Sequence, residues 1–146
     1  MFGWISRLFA ASKEDLRPGF PSDIRVSKVE PEDDEILEVW QRDLDAHLLA
    51  FHSVDAVRWK DWNTPWQITI GIGEFIREEP FQTILNDAIY NALTAVPGVN
   101  EAFPEDREVY VVSGEPSGRE LVEEVSKAVD GFVRTRIDEW EKAQNV

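Results

Sequence analysis

The stretch Trp66-Gln-Ile-Thr-Ile-Gly-Ile-Gly73 alternates large apolar residues with small or polar ones without interruption. One side of it carries Trp66, Ile68, Ile70 and Ile72. A period of two is typical of a β-strand that buries one face and exposes the other. The stretch therefore predicts a central strand, against which the rest of the chain builds a hydrophobic core.

The segment that follows Pro80 has the periodicity of an amphipathic helix. Its apolar residues, which share one helix face, are Phe81, Ile84, Leu85, Ala88, Ile89, Ala92, Leu93 and Val96. Pro97-Gly98 is expected to end this helix. Strands over 99–103 and 107–113 then flank the acidic turn 104–106, which predicts a β-hairpin.

A last helix is predicted from Ser117 to about Lys142. Ser117 and Glu120 have the spacing of a capping box, in which each side chain bonds the other residue's backbone N–H. Gly131 lies inside this helix and costs roughly 1 kcal/mol relative to alanine, which suggests close packing or a mild bend there.

The N-terminal half predicts a short strand over 23–29 and a helix from Pro31 to about Phe51. Four carboxylates would occupy the first turn of that helix, where the macrodipole favours them; they are Glu32, Asp33, Asp34 and Glu35. Its inner stripe would be Ile36, Leu37, Trp40, Leu44, Leu48 and Phe51. Residues 54–61 then predict a strand that pairs with 66–73.

These elements predict one α+β domain over residues 22–146, preceded by an amphipathic peptide and linker over residues 1–21. The expected order is β-α-β-β-α-β-β-α, with about five strands in a ferredoxin-like antiparallel sheet and the helices on one face.

Part of this pattern resembles a known family. The segment Ala92-Leu-Thr-Ala-Val-Pro-Gly-Val99, followed by the acidic hairpin, Val109–Val112 and a helix, resembles the β-α-β-β-α frame of heavy-metal-associated domains. The resemblance covers about 66–135 and implies a ferredoxin-like fold. Those domains bind metal through a Cys-x-x-Cys loop, whereas the equivalent loop here, 73–79, has no cysteine. Metal transport is therefore not implied.

Composition excludes several functional classes. The chain has 146 residues and no cysteine, so disulfides, thiolate nucleophiles and cysteine-based metal sites are excluded. Its net charge of -14 disfavours nucleic-acid binding. That charge fits solubility, a basic protein partner or adaptation to high salt. No apolar run is long enough to span a membrane, and a cytoplasmic location is expected.

A search for chemistry finds no catalytic signature, and no cofactor or metal is expected. The two histidines, His47 and His52, lie near Asp43 and Asp55 in the sequence, but two ligands without a third make a weak metal site. His52 would be favoured by the dipole at the end of the predicted first helix. The loop after Gly71 lacks the third glycine of a phosphate loop and carries three glutamates. If the fold forms a ligand pocket, the expected place is between the sheet face and the helices, near Trp66, Tyr90 and Tyr110.

The sequence favours a non-catalytic, acidic protein that binds a basic protein partner. The carboxylates at Glu32, Asp33, Asp34 and Glu35 would supply the charge, and Trp59, Trp62, Trp4 and Phe9 the apolar anchors. Two alternatives stay open: a small-molecule-binding protein or enzyme on a ferredoxin-like sheet, and a subunit of a larger assembly docked through residues 1–12. A homodimer is also left open.

Overall fold

The computed structural model describes residues 25–42, 51–63, 65–72, 81–106 and 108–145. Trp4, Phe9, His47 and the predicted domain boundary at residue 22 lie outside these ranges. The strands are β1 (Val26–Val29), β2 (Ile36–Arg42), β3 (Phe51–Trp59), β4 (Trp66–Ile72), β5 (Val99–Asp106) and β6 (Val109–Gly114). The helices among the described residues are α1 (Phe81–Ala95) and α2 (Gly118–Gln144).

The six strands form one sheet in the order β1-β2-β3-β4-β6-β5, and every neighbouring pair is antiparallel. The first four strands follow one another as a meander. Helix α1 then connects β4 to β5, and β6 returns between them. Because β6 is antiparallel to both of its neighbours, β4 and β5 are parallel, which is a split β-α-β arrangement.

The predicted helix from Pro31 to Phe51 is wrong over the described part of that range. Residues 36–42 form β2, and β3 begins at Phe51. His52 therefore lies in a strand, and a helix dipole does not explain its position. The apolar residues Ile36, Leu37, Val39 and Trp40 follow a helical period, and a register shift between Ile36 and Glu38 interrupts the alternation expected of a strand. Pairing with β1 and β3 nevertheless selects the strand.

The four carboxylates that were assigned to a first helical turn lie instead in the turn between β1 and β2. The Asp33 side chain accepts a hydrogen bond from the backbone of Glu35 at 2.9 Å, and the Ile36 backbone N–H donates to the Asp33 carbonyl at 3.0 Å. An aspartate that bonds the backbone two residues ahead stabilises a turn and competes with helix formation.

The fold class is thus α+β with an antiparallel sheet, as predicted, but the order within it differs. The described elements run β-β-β-β-α-β-β-α, and the sheet has six strands rather than about five. The predicted placement of the helices is confirmed for α1 and α2, because the sheet residues that contact them share one face. Trp40, Arg42, Trp66 and Tyr110 belong to that covered face.

The predicted burial of β4 is confirmed where the structure describes its side chains. Ile68 and Ile70 are fully buried, and Trp66 is 5% exposed. Val54 and Ala56 lie opposite them on β3 and are also fully buried. Helix α1 contributes Leu85, Ile89 and Leu93 to this core, and α2 contributes Leu121, Val122, Val125 and Val129. Ile84, which the helical period placed with the core, is 40% exposed.

The predicted hairpin is confirmed, but the predicted turn at 104–106 is wrong, because these residues belong to β5, which runs to Asp106 and pairs with β6 from Val109 onward. Gly98 and Gly114 have φ values of 93° and 115°, which L side chains rarely adopt. A Cβ on Gly114 would also collide with the Gly98 carbonyl oxygen. Glycine is therefore required at Gly98, just before β5 begins, and at Gly114, where β6 ends. Pro104 is tolerated within β5 because β5 is an edge strand.

A buried ion pair joins β2 to α2. The Arg42 guanidinium donates to the Asp130 carboxylate at 2.7 Å, and their side chains are 2% and 6% exposed. Arg42 lies on the covered face, where Val26 is its partner on β1. The sequence pattern did not identify this pair, because it placed Arg42 on a helix.

Helix α2 begins with the predicted capping box. The Arg119 backbone N–H donates to Ser117 Oγ at 3.2 Å, and the Ser117 N–H donates to Glu120 Oε2 at 3.4 Å. Gly118 follows directly, and a Cβ there would lie 2.5 Å from the Trp40 ring and 2.6 Å from the Trp66 ring. A Cβ on Gly131 would meet nothing within 4 Å, so close packing does not explain that glycine.

Replacement of Arg42 by methionine is expected to lower the free energy of unfolding by about 3–5 kcal/mol, because the Asp130 carboxylate then faces an apolar side chain in the core. The double variant R42M/D130L is expected to be more stable than R42M. Urea denaturation followed by circular dichroism measures both. The exposed pair Arg119–Glu123, at 3.0 Å, is the control. An R119M variant that costs as much as R42M would contradict the prediction.

Substitution by alanine is expected to have opposite effects on stability at Gly118 and Gly131, the two glycines of α2. Gly118→Ala is expected to cost about 1–3 kcal/mol of stability, because its methyl group displaces two tryptophan rings. Gly131→Ala is expected to add about 0.5–1 kcal/mol, since it meets no neighbour and favours the helix. Thermal unfolding of both variants beside the parent chain tests this contrast, and the same sign of change in both would refute it.

Candidate functional site at the hairpin end of the sheet

The structure brings two of the predicted partner-binding groups together. Ile36, at the end of the β1–β2 turn, pairs with Trp59 at the end of β3. The Lys60 backbone N–H donates to the Glu35 carbonyl at 2.7 Å. The acidic turn, residues 30–35, is thus joined to the tryptophan turn, residues 59–63. We call this region the hairpin end.

The acidic turn has a high local density of negative charge. It contains five carboxylates and no basic residue over residues 30–35. Glu32, Asp33, Asp34 and Glu35 are all exposed. Its backbone is held by the Asp33 hydrogen bond and by Lys60, so the charges project from a fixed turn. Such a cluster attracts basic groups over a distance of about 10 Å at 0.1 M salt.

The two tryptophans of the neighbouring turn contact each other. The ring centroids of Trp59 and Trp62 are 6.4 Å apart, with the planes inclined by 44°. Trp59 also donates its indole N–H to Gln67 Oε1 at 3.0 Å, and the Trp62 backbone N–H donates to the Trp59 carbonyl at 3.1 Å. Both side chains are half-buried. Of the three tryptophans at 59, 62 and 66, only Trp66 is in the core.

A cleft of about 410 Å³ opens at the same end of the sheet, beside the covered face. Its lining residues are Glu38, Arg58, Asn63, Trp66 and 115–118. Glu38 accepts hydrogen bonds from Trp40 at 2.6 Å and from Arg58 at 3.2 Å. The Arg58 guanidinium carbon lies 5.8 Å from the Trp66 ring centroid. The Glu38 carboxylate thus holds its neighbours in position, which is a structural role.

The three residues near which a pocket was expected, Trp66, Tyr90 and Tyr110, have different environments. Tyr110 is buried, and its hydroxyl donates to Asn86 Oδ1 on α1 at 2.8 Å. Burial, with a contribution from the negative charge of Asp87, raises the pKa of Tyr110 to about 12. Tyr90 is 48% exposed on α1. Of these three residues, Trp66 is the one that lines the cleft described above.

The sheet face opposite the helices carries an apolar row that the sequence pattern did not predict. Side chains that pair directly from strand to strand share a face. One such row crosses all six strands: Val29, Val39, Val57, Gln67, Val111 and Phe103. We call it the valine row. Since α1 and α2 contact the opposite face, neither of these helices covers it.

Asp55 lies two residues before Val57 on β3, so both side chains are on the same face of the sheet. Its paired neighbours are Gln41 on β2 and Thr69 on β4. Burial raises the pKa of the Asp55 carboxyl above its ordinary 3.8, although a hydrogen bond from Gln41 opposes the rise. Among the described residues, Asp55 Oδ1 has no hydrogen-bond partner. Asp55 is thus a partly desolvated carboxylate between polar neighbours.

Several predicted features lie outside the described ranges: Trp4, Phe9, His47 and the loop over 73–80. The docking role assigned to residues 1–12 stays a prediction for the same reason. Within the ranges given above, no three histidine or carboxylate side chains come together as a metal site. In the same ranges, neither helix combines the length and apolar character needed to cross a membrane.

Comparisons with known proteins return no relative. No family model matches the chain, and neither the curated proteins nor the solved structures include a significant match.

Asp55→Asn is expected to raise the free energy of unfolding at pH 7, because asparagine carries no charge to desolvate. The unfolded chain releases the Asp55 proton near the ordinary pKa, whereas the folded protein releases it at a higher pH. As the pH falls through the raised pKa, the folded protein takes up the proton and the penalty disappears. The advantage of D55N should therefore shrink towards pH 3.8.

Urea denaturation at several pH values between about 4 and 7 measures this advantage. Glu101→Gln, at an exposed carboxylate on β5, is the matched control and should change stability less than D55N does at pH 7. A D55N advantage that is constant over this pH range would exclude the burial of a charge as its cause.

Proposed function

We propose that this chain is a non-catalytic interaction protein that binds a basic segment of a partner protein at the hairpin end. The observation that carries the proposal is the joining of the acidic turn to Trp59 and Trp62 through the Ile36–Trp59 pair and the Lys60–Glu35 hydrogen bond. The proposal includes a cytoplasmic location, which the lack of cysteine supports.

Charge and aromatic surface have different roles in this proposal. The five carboxylates of residues 30–35, within a chain of net charge -14, accelerate the approach of a basic partner and discriminate against acidic ones. Tryptophan supplies much of the binding energy at protein interfaces, because a large ring loses contact with water there. Trp59 is held by Gln67, so it loses little conformational freedom on binding.

A second candidate function is the binding of a small molecule in the cleft beside Glu38 and Arg58. Its volume of about 410 Å³ is typical of ligand pockets. However, Glu38 and Arg58 are already paired with each other, and a ligand would have to replace that contact. We therefore favour the protein-binding function.

The test of the proposed function uses a synthetic amphipathic peptide of lysine and leucine, with binding measured by calorimetry. The variant E32Q/D33N/D34N/E35Q keeps the shape of the turn, since the amide introduced by D33N retains a side-chain oxygen that can accept from the Glu35 backbone. We expect it to bind the peptide at least roughly tenfold more weakly at about 20 mM salt and to approach the parent at about 300 mM salt. Trp62→Ala should also weaken binding roughly tenfold.

The control removes the same number of charges elsewhere, in the variant D87N/E124Q/D138N/E139Q. All four side chains are exposed or half-buried, on α1 and α2. Equal weakening in both quadruple variants would show attraction by net charge alone and would refute a site at the hairpin end. A peptide of glutamate and leucine, which should not bind, tests whether binding requires positive charge on the peptide.

A further inference from the structure

We infer that the valine row is the surface on which the apolar residues of the basic partner segment pack. This inference rests on the proposed function and extends it from the hairpin end to the sheet face opposite the helices. The partner is then an amphipathic segment, with an apolar side that contacts the sheet and with lysine or arginine beside it.

The valine row provides an apolar path that is interrupted only at Gln67. Five of its six side chains are apolar, and consecutive ones are direct cross-strand neighbours, whose Cβ atoms lie about 4.5–5.5 Å apart. The side chains of Val39, Val57 and Val111 are half-buried, and Phe103 is 45% exposed at the β5 edge. Six strands at a spacing of about 4.8 Å give the row a length of about 24 Å.

The row is connected to the hairpin end through Gln67. This residue is a member of the row, and its side chain accepts the hydrogen bond from Trp59. Trp59 lies two residues from Val57 on β3, and alternation along the strand places both on one face. A segment attracted by the acidic turn can therefore contact Trp59 and the valine row together.

The charges on this face distinguish between possible occupants. In the described strands, the charged residues that the register places on it are Asp55, Glu101 and Asp106, all acidic. Arg58 and Glu38 pair on the opposite face. A second copy of this chain would set carboxylates against carboxylates, and two net charges of -14 would repel each other. A basic amphipathic segment complements both the row and its acidic border.

The test is the lysine–leucine peptide added to the full chain, observed through the valine methyl groups by NMR. Val57 and Val111 lie on the valine row, whereas Val54 and Val112 are fully buried on the covered face of the same strands. We expect saturable shifts at Val57 and Val111 that exceed those at Val54 and Val112. V57T and V111T, which keep the side-chain shape, should each weaken binding roughly fivefold.

Ile84→Thr is the matched control, because Ile84 is 40% exposed on α1, on the other side of the sheet, and should leave affinity unchanged. Thermal unfolding shows that each variant is folded at the temperature used. Binding that depends on the acidic turn but not on Val57 or Val111 would overturn this inference and leave the proposed function intact. A peptide that does not bind at about 20 mM salt overturns both. Slower tumbling of the chain without peptide that V57T or V111T reverses would indicate a second copy on this face and also overturn the inference.

Discussion

The alternation of side chains along β4 is the constraint on which the rest of the structure depends. Ile68 and Ile70 are fully buried under the helices, so Gln67 and Thr69 must lie on the opposite face. Antiparallel pairing carries this division to β3 and β6, and from them to both sheet edges. A register slip of one residue would bring the buried isoleucines to the surface, which fixes the register strongly. Both the core and the valine row result from this single division.

Charged side chains have different environments beneath the helices and at the hairpin end. Beneath the helices, Arg42 is buried with Asp130, and the two charges are paired at 2.7 Å. At the hairpin end, the carboxylates of the acidic turn are exposed and can be screened by salt. The Arg42–Asp130 pair contributes to the fold only as long as both partners are present. The exposed carboxylates cost little stability, and their electrostatic attraction extends beyond the protein surface.

The parts of the fold that the sequence predicted are those with a strong local signal. The strand over 66–72, the helix after Pro80, the hairpin after Gly98 and the capping box at Ser117 all follow from periodicity or from turn and cap residues. The prediction for residues 36–42 is wrong because their apolar residues follow a helical period, and a register shift between Ile36 and Glu38 interrupts the alternation of the strand. Pairing with distant strands outweighs that local pattern. The acidic residues of 32–35 are equally suited to a helix start and to a turn.

The sequence predicts which residue types form the candidate site but not how they are arranged in space. Residue type identifies Trp59, Trp62 and the carboxylates of 32–35, but their proximity depends on the β2–β3 register, which a helix over this range excludes. The valine row has no local signal, because its members come from six separate strands. Asp55 and Arg42 stand in alternating or ambiguous segments, and only the assembled sheet shows that one is half-buried and the other fully buried.

The proline in β5 also affects how this protein behaves at high concentration. An edge strand offers unpaired backbone groups to other chains, and strand addition there is a common route to fibrils. Pro104 removes one donor from that edge, while Glu101 and Glu105 place negative charges beside it. The opposite edge strand, β1, is only four residues long. Addition of further strands is thereby discouraged at both edges of the described sheet.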